Sequence, residues 1–187
     1  MNIVRAIPDD TVLEKIAIYL KDRNYRDFLL LTVGITLGVR ISDLLALRVK
    51  DVKDTDYIYI KEKKTKKRKD IKITPDLNVL LEEYIKGKPL NTYIFKSQKG
   101  ENNPITRQQA YRILRYAARA CGLKNVGTHT LRKTFGRIET DCKVPIHMIQ
   151  KMFNHKTTED TLRYLGIERE HEDKARRNFN FSKLLKK

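Results

Sequence analysis

The stretch YIYIKEKKTKKRKDIKIT, residues 57–74, decides how the rest of the chain is to be read. Its flanks, YIYIK (57–61) and DIKIT (70–74), are short and rich in β-branched and aromatic residues, the composition of strands. Between them KEKKTKKRK carries almost nothing but cations, so the stretch reads as a β-hairpin with a basic tip. Pro75 ends it. Most of the chain around this hairpin has helical rather than strand periodicity.

Upstream, PDDTVLEKIAIYLKD opens with Asp and Thr capping candidates and sets Val12, Leu13, Ile16, Ala17 and Leu20 on one face of a helix. A second helix, from about 26 to 37, is apolar nearly all round and is expected at the centre of the core. Gly38 breaks it, and RISDLLALRV starts a third with Ile41, Leu44, Leu45 and Leu47 as its buried stripe. Downstream, DLNVLLEEYIK returns to helical spacing with Gly87 as a C-cap candidate. YIFK reads as a stub of strand, and TRQQAYRILRYAARACG as a helix with a capping box of Thr106 and Gln109. Shorter helices follow in HTLRKTFGRIETD, PIHMIQKMFN and TEDTLRYLG. The fold class is therefore α+β, mainly helical, with a small antiparallel sheet.

The 187 residues suffice for one hydrophobic core. No run of eighteen apolar residues exists to cross a membrane, and MNIVRAIPDD lacks the pattern of a signal peptide. Cys121 and Cys142 form neither a metal spacing nor a disulfide framework, which suits a reducing cytoplasm. The net charge of +17, from 40 Lys+Arg against 23 Asp+Glu, makes a polyanion the expected partner and nucleic acid the first candidate. There is no Gly-rich phosphate loop, no G-x-S-x-G and no paired carboxylates. His147 and His171 lack metal-ligand neighbours, so no metal or cofactor is expected.

Four places could carry chemistry. His129 and Arg132 lie three apart in THTLRKTFG, which puts a proton donor and a guanidinium fork on one surface; alone, that spacing equally fits a surface pair on a basic helix. Arg40 follows a helix break, and Asp43 three residues on could orient it by a salt bridge. The hairpin tip holds phosphate contacts and leaves open which lysine could be catalytic. Finally, nine residues of unbroken helix would turn His155 and Tyr164 to opposite faces. Thr157 and Asp160 offer a capping signal that would break the helix between them.

In order and spacing, G-V-R-I-S-D-L at 38–44, the basic hairpin, H-x-x-R at 129–132, then His155 and Tyr164 resemble the tyrosine recombinase (phage integrase) family over about residues 10–168. The resemblance implies a catalytic domain at 1–168 without the N-terminal core-binding domain of longer relatives, as in an excised domain or a naturally short member. It implies that Arg40 and Arg132 clamp the scissile phosphate, His129 shuttles a proton, His155 braces a phosphate oxygen and Tyr164 is the nucleophile. KKTKKR resembles the family's K-T-G-x-R turn, which picks out Lys64 as the acid for the leaving 5′ oxygen, with Lys63 and Lys66 as alternatives. Asp43 matches the acidic helper after the first arginine, and Lys63, Lys66, Lys67 and Arg68 become DNA-phosphate contacts. Lys66 stands where glycine is common, and Phe153-Asn154-His155 replaces the usual L-G-H, although Asn tolerates the same left-handed backbone.

The function so implied is site-specific DNA recombination through a 3′-phosphotyrosine, without metal or ATP, serving integration, excision or inversion of mobile DNA. Its partners would be double-stranded DNA, a homotetramer assembled on it from free monomers, and accessory DNA-bending proteins. The tail, 169–187, could be a segment exchanged between subunits, anchored by Phe179, Phe181 and Leu184. A DNA-binding regulator that keeps the fold without strand exchange is the alternative.

Overall fold

The computed structural model describes residues 5–167; the tail with Phe179, Phe181 and Leu184 lies outside them. The chain divides into two compact units, residues 1–138 and 139–187.

The first unit is built around α2 (Tyr25–Leu37), which packs against α1 (Asp10–Lys21), α3 (Ile41–Leu44), α4 (Pro75–Ile85) and α5 (Arg107–Ala120). Its position follows from its composition. Leu29, Leu30, Leu31, Val33 and Ile35 leave no face for water, and all are buried. The flanking helices bury one stripe each, through Ile16 and Leu20 of α1, Leu77, Leu81 and Ile85 of α4, and Ala110, Leu114 and Ala117 of α5. Starts and stops follow side-chain chemistry. Asp9 accepts from the Val12 amide to cap α1, and Thr106 and Gln109 form a reciprocal capping box on α5.

The sheet is one antiparallel hairpin, β1 (Tyr57–Lys61) with β2 (Arg68–Lys72), in the register Tyr57↔Lys72 to Lys61↔Arg68. The second strand thus begins two residues earlier than its apolar residues indicate. The turn is tight, with the Lys66 amide donating to Glu62 O and the Glu62 amide to Lys67 O, both at 2.9 Å. Pairing therefore starts at once, and Arg68 and Lys69 enter the ladder. Thr74 is released to cap α4. The third helix is also shorter than RISDLLALRV suggests, with a single turn at Ile41–Leu44. Beyond it the backbone pairs instead with residues 90–94, where the Ile94 amide donates to Leu47 O and the Val49 amide to Thr92 O, each at 2.9 Å. Ile41, Leu44, Leu45 and Leu47 are buried all the same.

Helix α6 (Thr130–Asp141) is brought close to the end of α2 by two glycines. A Cβ at Gly34 would stand 2.4 Å from Leu131 Cδ1, and one at Gly38 would stand 2.4 Å from the Phe135 ring. Gly38 also caps α2 in the left-handed region, with φ 57°. Gly38→Ala combines backbone strain with overpacking, so it is expected to lower stability by about 2–4 kcal/mol in chemical denaturation. The start of α6 is fixed from the other side, where Thr130 Oγ1 donates to Arg5 O at 2.9 Å and the Ile7 amide donates to Thr134 Oγ1 at 2.9 Å.

The second unit contains α7 (Ile146–Phe153) and α8 (Thr158–Leu165), packed on each other, with Ile149 and Phe153 fully buried. Asn154 ends α7 in the left-handed conformation, φ 52°. Thr157 then opens α8 by accepting from the Asp160 amide at 3.1 Å. The helix break expected between His155 and Tyr164 is present, built from the predicted cap.

Candidate active site

In the first unit, the ends of α2, α6 and the hairpin bring cations together. Arg132 is buried and its Nη1 donates to Gly38 O at 2.9 Å, so a guanidinium is seated on the negative end of α2. Arg40 is the N-cap of α3, with extended backbone (φ −68°, ψ 145°). Because it is not helical, its side chain does not follow the i, i+3 rule toward Asp43. Its carboxylate is Glu62, with Arg40 Nη1 2.8 Å from Glu62 Oε2 and poorly aligned for a hydrogen bond. Asp43 is buried and serves the hairpin instead, accepting from the Lys63 amide at 3.0 Å through Oδ1.

Glu62 is the residue that sequence reasoning missed. Its side chain is fully buried and also meets Lys69 Nζ at 3.4 Å and Arg132 Nη1 at 4.0 Å. Thr65 Oγ1 donates to its Oε2. A signal did exist, since strand alternation runs Ile58, Ile60, Glu62 on the inward face, and all three are buried. Lys69 is similarly drawn in. Burial first, then the Arg132 and Arg40 charges, push its amine down to about 8, against the opposing pull of Glu62.

His129 immediately precedes α6, its carbonyl accepting from the Lys133 amide at 2.9 Å. Partial desolvation, then the charges of Arg132, Lys133, Arg40 and Lys64, hold its imidazole below the usual range. Lys64 is exposed, and it is the tip lysine among those charges. Lys63, Lys66, Lys67 and Arg68 are exposed on the tip, the placement of phosphate contacts rather than of buried acids.

Lys66 adopts φ 60°, the conformation that the matching glycine would favour. Lys66→Gly is therefore expected to stabilise the protein by about 1 kcal/mol, seen as a rise of about 2–4 °C in Tm.

In the second unit, His155 and Tyr164 meet directly, with ring centroids 5.3 Å apart in an edge-on arrangement. Phe153 contacts both, at 5.2 Å and 5.4 Å. His155 Nδ1 lies 3.0 Å from Thr161 Oγ1, and that hydroxyl donates to Thr157 O at 3.3 Å. The contact to Nδ1 holds the orientation of the ring. The left-handed Asn154 and the Thr157 cap are what return the chain so that residues nine apart can touch.

A mainly helical α+β domain with guanidinium groups gathered at a basic hairpin, and a tyrosine carried on a short separate helix, defines the catalytic domain of a tyrosine recombinase. Known proteins agree. The profile of the phage integrase family matches residues 9–171, and the chain belongs to that family. The Bacillus subtilis protein named probable integrase/recombinase YoeC is 44% identical over 168 residues, 90% of this chain and 92% of that protein. A tyrosine recombinase of Pseudothermotoga lettingae is 33% identical over 172 residues, 89% of this chain but 59% of that protein. Among solved structures, XerA recombinase matches with a TM-score of 0.71 at 19% identity, over 92% of this chain and 64% of that one. A lambda integrase tetramer bound to a Holliday junction matches with a TM-score of 0.67 at 20% identity, over 87% of this chain and 48% of that one. These two likenesses show the fold.

Proposed function

We propose that the chain cleaves and rejoins double-stranded DNA at specific sites by transesterification onto Tyr164. The observation that carries this reading is the cation cluster. Arg40, Arg132 and Lys69 stand within 4.0 Å of the Glu62 carboxylate, which gathers positive charge at one point and suits it to receive an anion. A scissile phosphate is such an anion. Its non-bridging oxygens would meet the two guanidinium groups, whose forks match that geometry.

The Tyr164 Oη attacks phosphorus in line, and the P–O5′ bond breaks as the new P–Oη bond forms. His129, whose pKa burial and the neighbouring cations lower, accepts the phenol proton, and Lys64 donates one to the leaving 5′ oxygen. His155 braces a phosphate oxygen beside the tyrosine that it already touches. The ester bond conserves the energy needed for a second DNA end to reverse the step, so ATP is not required. Two guanidinium groups and an imidazole supply the charge neutralisation that a metal supplies in other phosphoryl-transfer enzymes, so this reaction runs without one. Assembly as a tetramer on paired DNA sites, with accessory DNA-bending proteins, belongs to the same reading.

The test is incubation with a nicked suicide duplex carrying a candidate site, followed by denaturing electrophoresis. A covalent protein–DNA band is expected; tight binding without a band would mark the chain as a DNA-binding regulator. Lys63, Lys66, Lys67 and Arg68 touch flanking phosphates in this reading. Replacing each by Ala should then reduce the salt slope of binding by about 0.9 for every cation removed, measured by titration at several salt concentrations.

A further inference from the structure

We propose that Glu62 is a positioning residue for the cleavage step, its carboxylate holding Arg40, Arg132 and Lys69 about one point and setting the charge that the phosphate meets. The inference rests on the reading of the chain as a recombinase.

Geometry comes first. The carboxylate has no solvent exposure, and three cations stand 2.8, 3.4 and 4.0 Å from its oxygens. It is fixed from behind by the Thr65 hydroxyl and by the two backbone bonds that close the turn at Glu62. Three cations this close would otherwise repel one another in a poorly screened site. With Glu62 in place, Arg40 is held by charge while its Nη1 is poorly aligned on the carboxylate. Such a contact anchors the guanidinium through its buried Nη1.

The charge balance follows. Three cations stand within 4.0 Å of this one carboxylate, whose charge opposes theirs. A phosphodiester carries one negative charge, and about two are spread over its oxygens as the tyrosine oxygen adds. Cations that Glu62 holds in fixed positions meet this growing charge without reorganising, which favours the transition state over bound DNA. Exposed tip lysines provide less of this, because solvent screens them.

The test uses Glu62→Gln, which keeps the shape and removes the charge, in the full chain with the nicked suicide duplex. Single-turnover adduct formation is expected to fall by about 10²-fold or more while DNA affinity changes less than about threefold. Glu62→Asp keeps the charge but retracts it by one methylene, and should restore part of the rate. In parallel, carbon-13 NMR follows the Lys69 amine, which titrates near about 8 in the wild type. Its midpoint should drop further in Glu62→Gln, because the group that opposes the other shifts is gone. Cleavage within threefold of wild type, or an unmoved Lys69 midpoint, overturns the proposal. Should the Gln variant fail to fold, the Asp variant decides: reduced cleavage with retained binding supports positioning, and wild-type cleavage overturns it. A wild type that forms no adduct defeats the recombinase reading instead. The Lys69 titration needs no cleavage and still decides whether Glu62 sets the charge of the cluster.

Discussion

Arg132→Ala is expected to cleave DNA about 10³–10⁵-fold more slowly than wild type while losing less than about tenfold in DNA affinity. The asymmetry follows from where the guanidinium sits. It is 3% exposed and bonded to Gly38 O, so it contributes little to the general field that attracts DNA. In the proposed reaction its value is concentrated at one phosphate, where negative charge grows. Truncation also strips the Gly38 carbonyl of a donor, so a loss of about 1–3 kcal/mol in stability should accompany the loss of rate. Arg132→Lys separates the two effects. It keeps a charge in the cluster but lacks the fork, so it should fold well and remain about 10²-fold slow. Single-turnover cleavage set beside a binding isotherm and a thermal melt makes the comparison. An Arg132→Lys variant at wild-type rate would mean that charge alone matters there.

The larger effect is expected at Tyr164. Tyr164→Phe removes the oxygen that, in the proposed reaction, becomes covalently linked to DNA, and should abolish adduct formation with binding retained. The ring is kept, and with it the contacts to Phe153 at 5.4 Å and His155 at 5.3 Å. The change in stability should stay within about 1.5 kcal/mol, the worth of at most one hydrogen bond. Lost activity cannot then be blamed on a disturbed helix. Removing the Thr157 cap, by contrast, would disturb both residues, because Thr157 fixes the start of α8 and accepts from Thr161, on which the His155 ring rests.

Several of these features were open to sequence reasoning because they are local. The capping box of α5, the break at Thr157 and the left-handed Asn154 depend on neighbours within a few residues, and those rules hold here. The central place of α2 follows from a helix with no polar face. What sequence reasoning missed depends on tertiary pairing. RISDLLALRV has helical spacing throughout, yet after one turn its backbone is claimed by residues 90–94. Asp43 stands at helical distance from Arg40, but Arg40 is an extended N-cap, so the rule that pairs them does not apply. Glu62 was hidden by its surroundings. A carboxylate in a run of lysines reads as a solvated charge, and only the inward register of β1 turns it toward the arginines. Its neighbour Lys69 was masked by the same run and drawn inward by the same hairpin.

The proposed chemistry stands or falls on Tyr164 taking the DNA strand. To see this directly, the adduct is trapped on a nicked suicide duplex, protein and DNA are digested with trypsin and nuclease, and the nucleotide-bearing peptide is located by mass spectrometry. A 3′-phosphotyrosyl link is expected within YLGIER, residues 164–169, at Tyr164. A link at any other residue, or undiminished adduct from Tyr164→Phe, would contradict it.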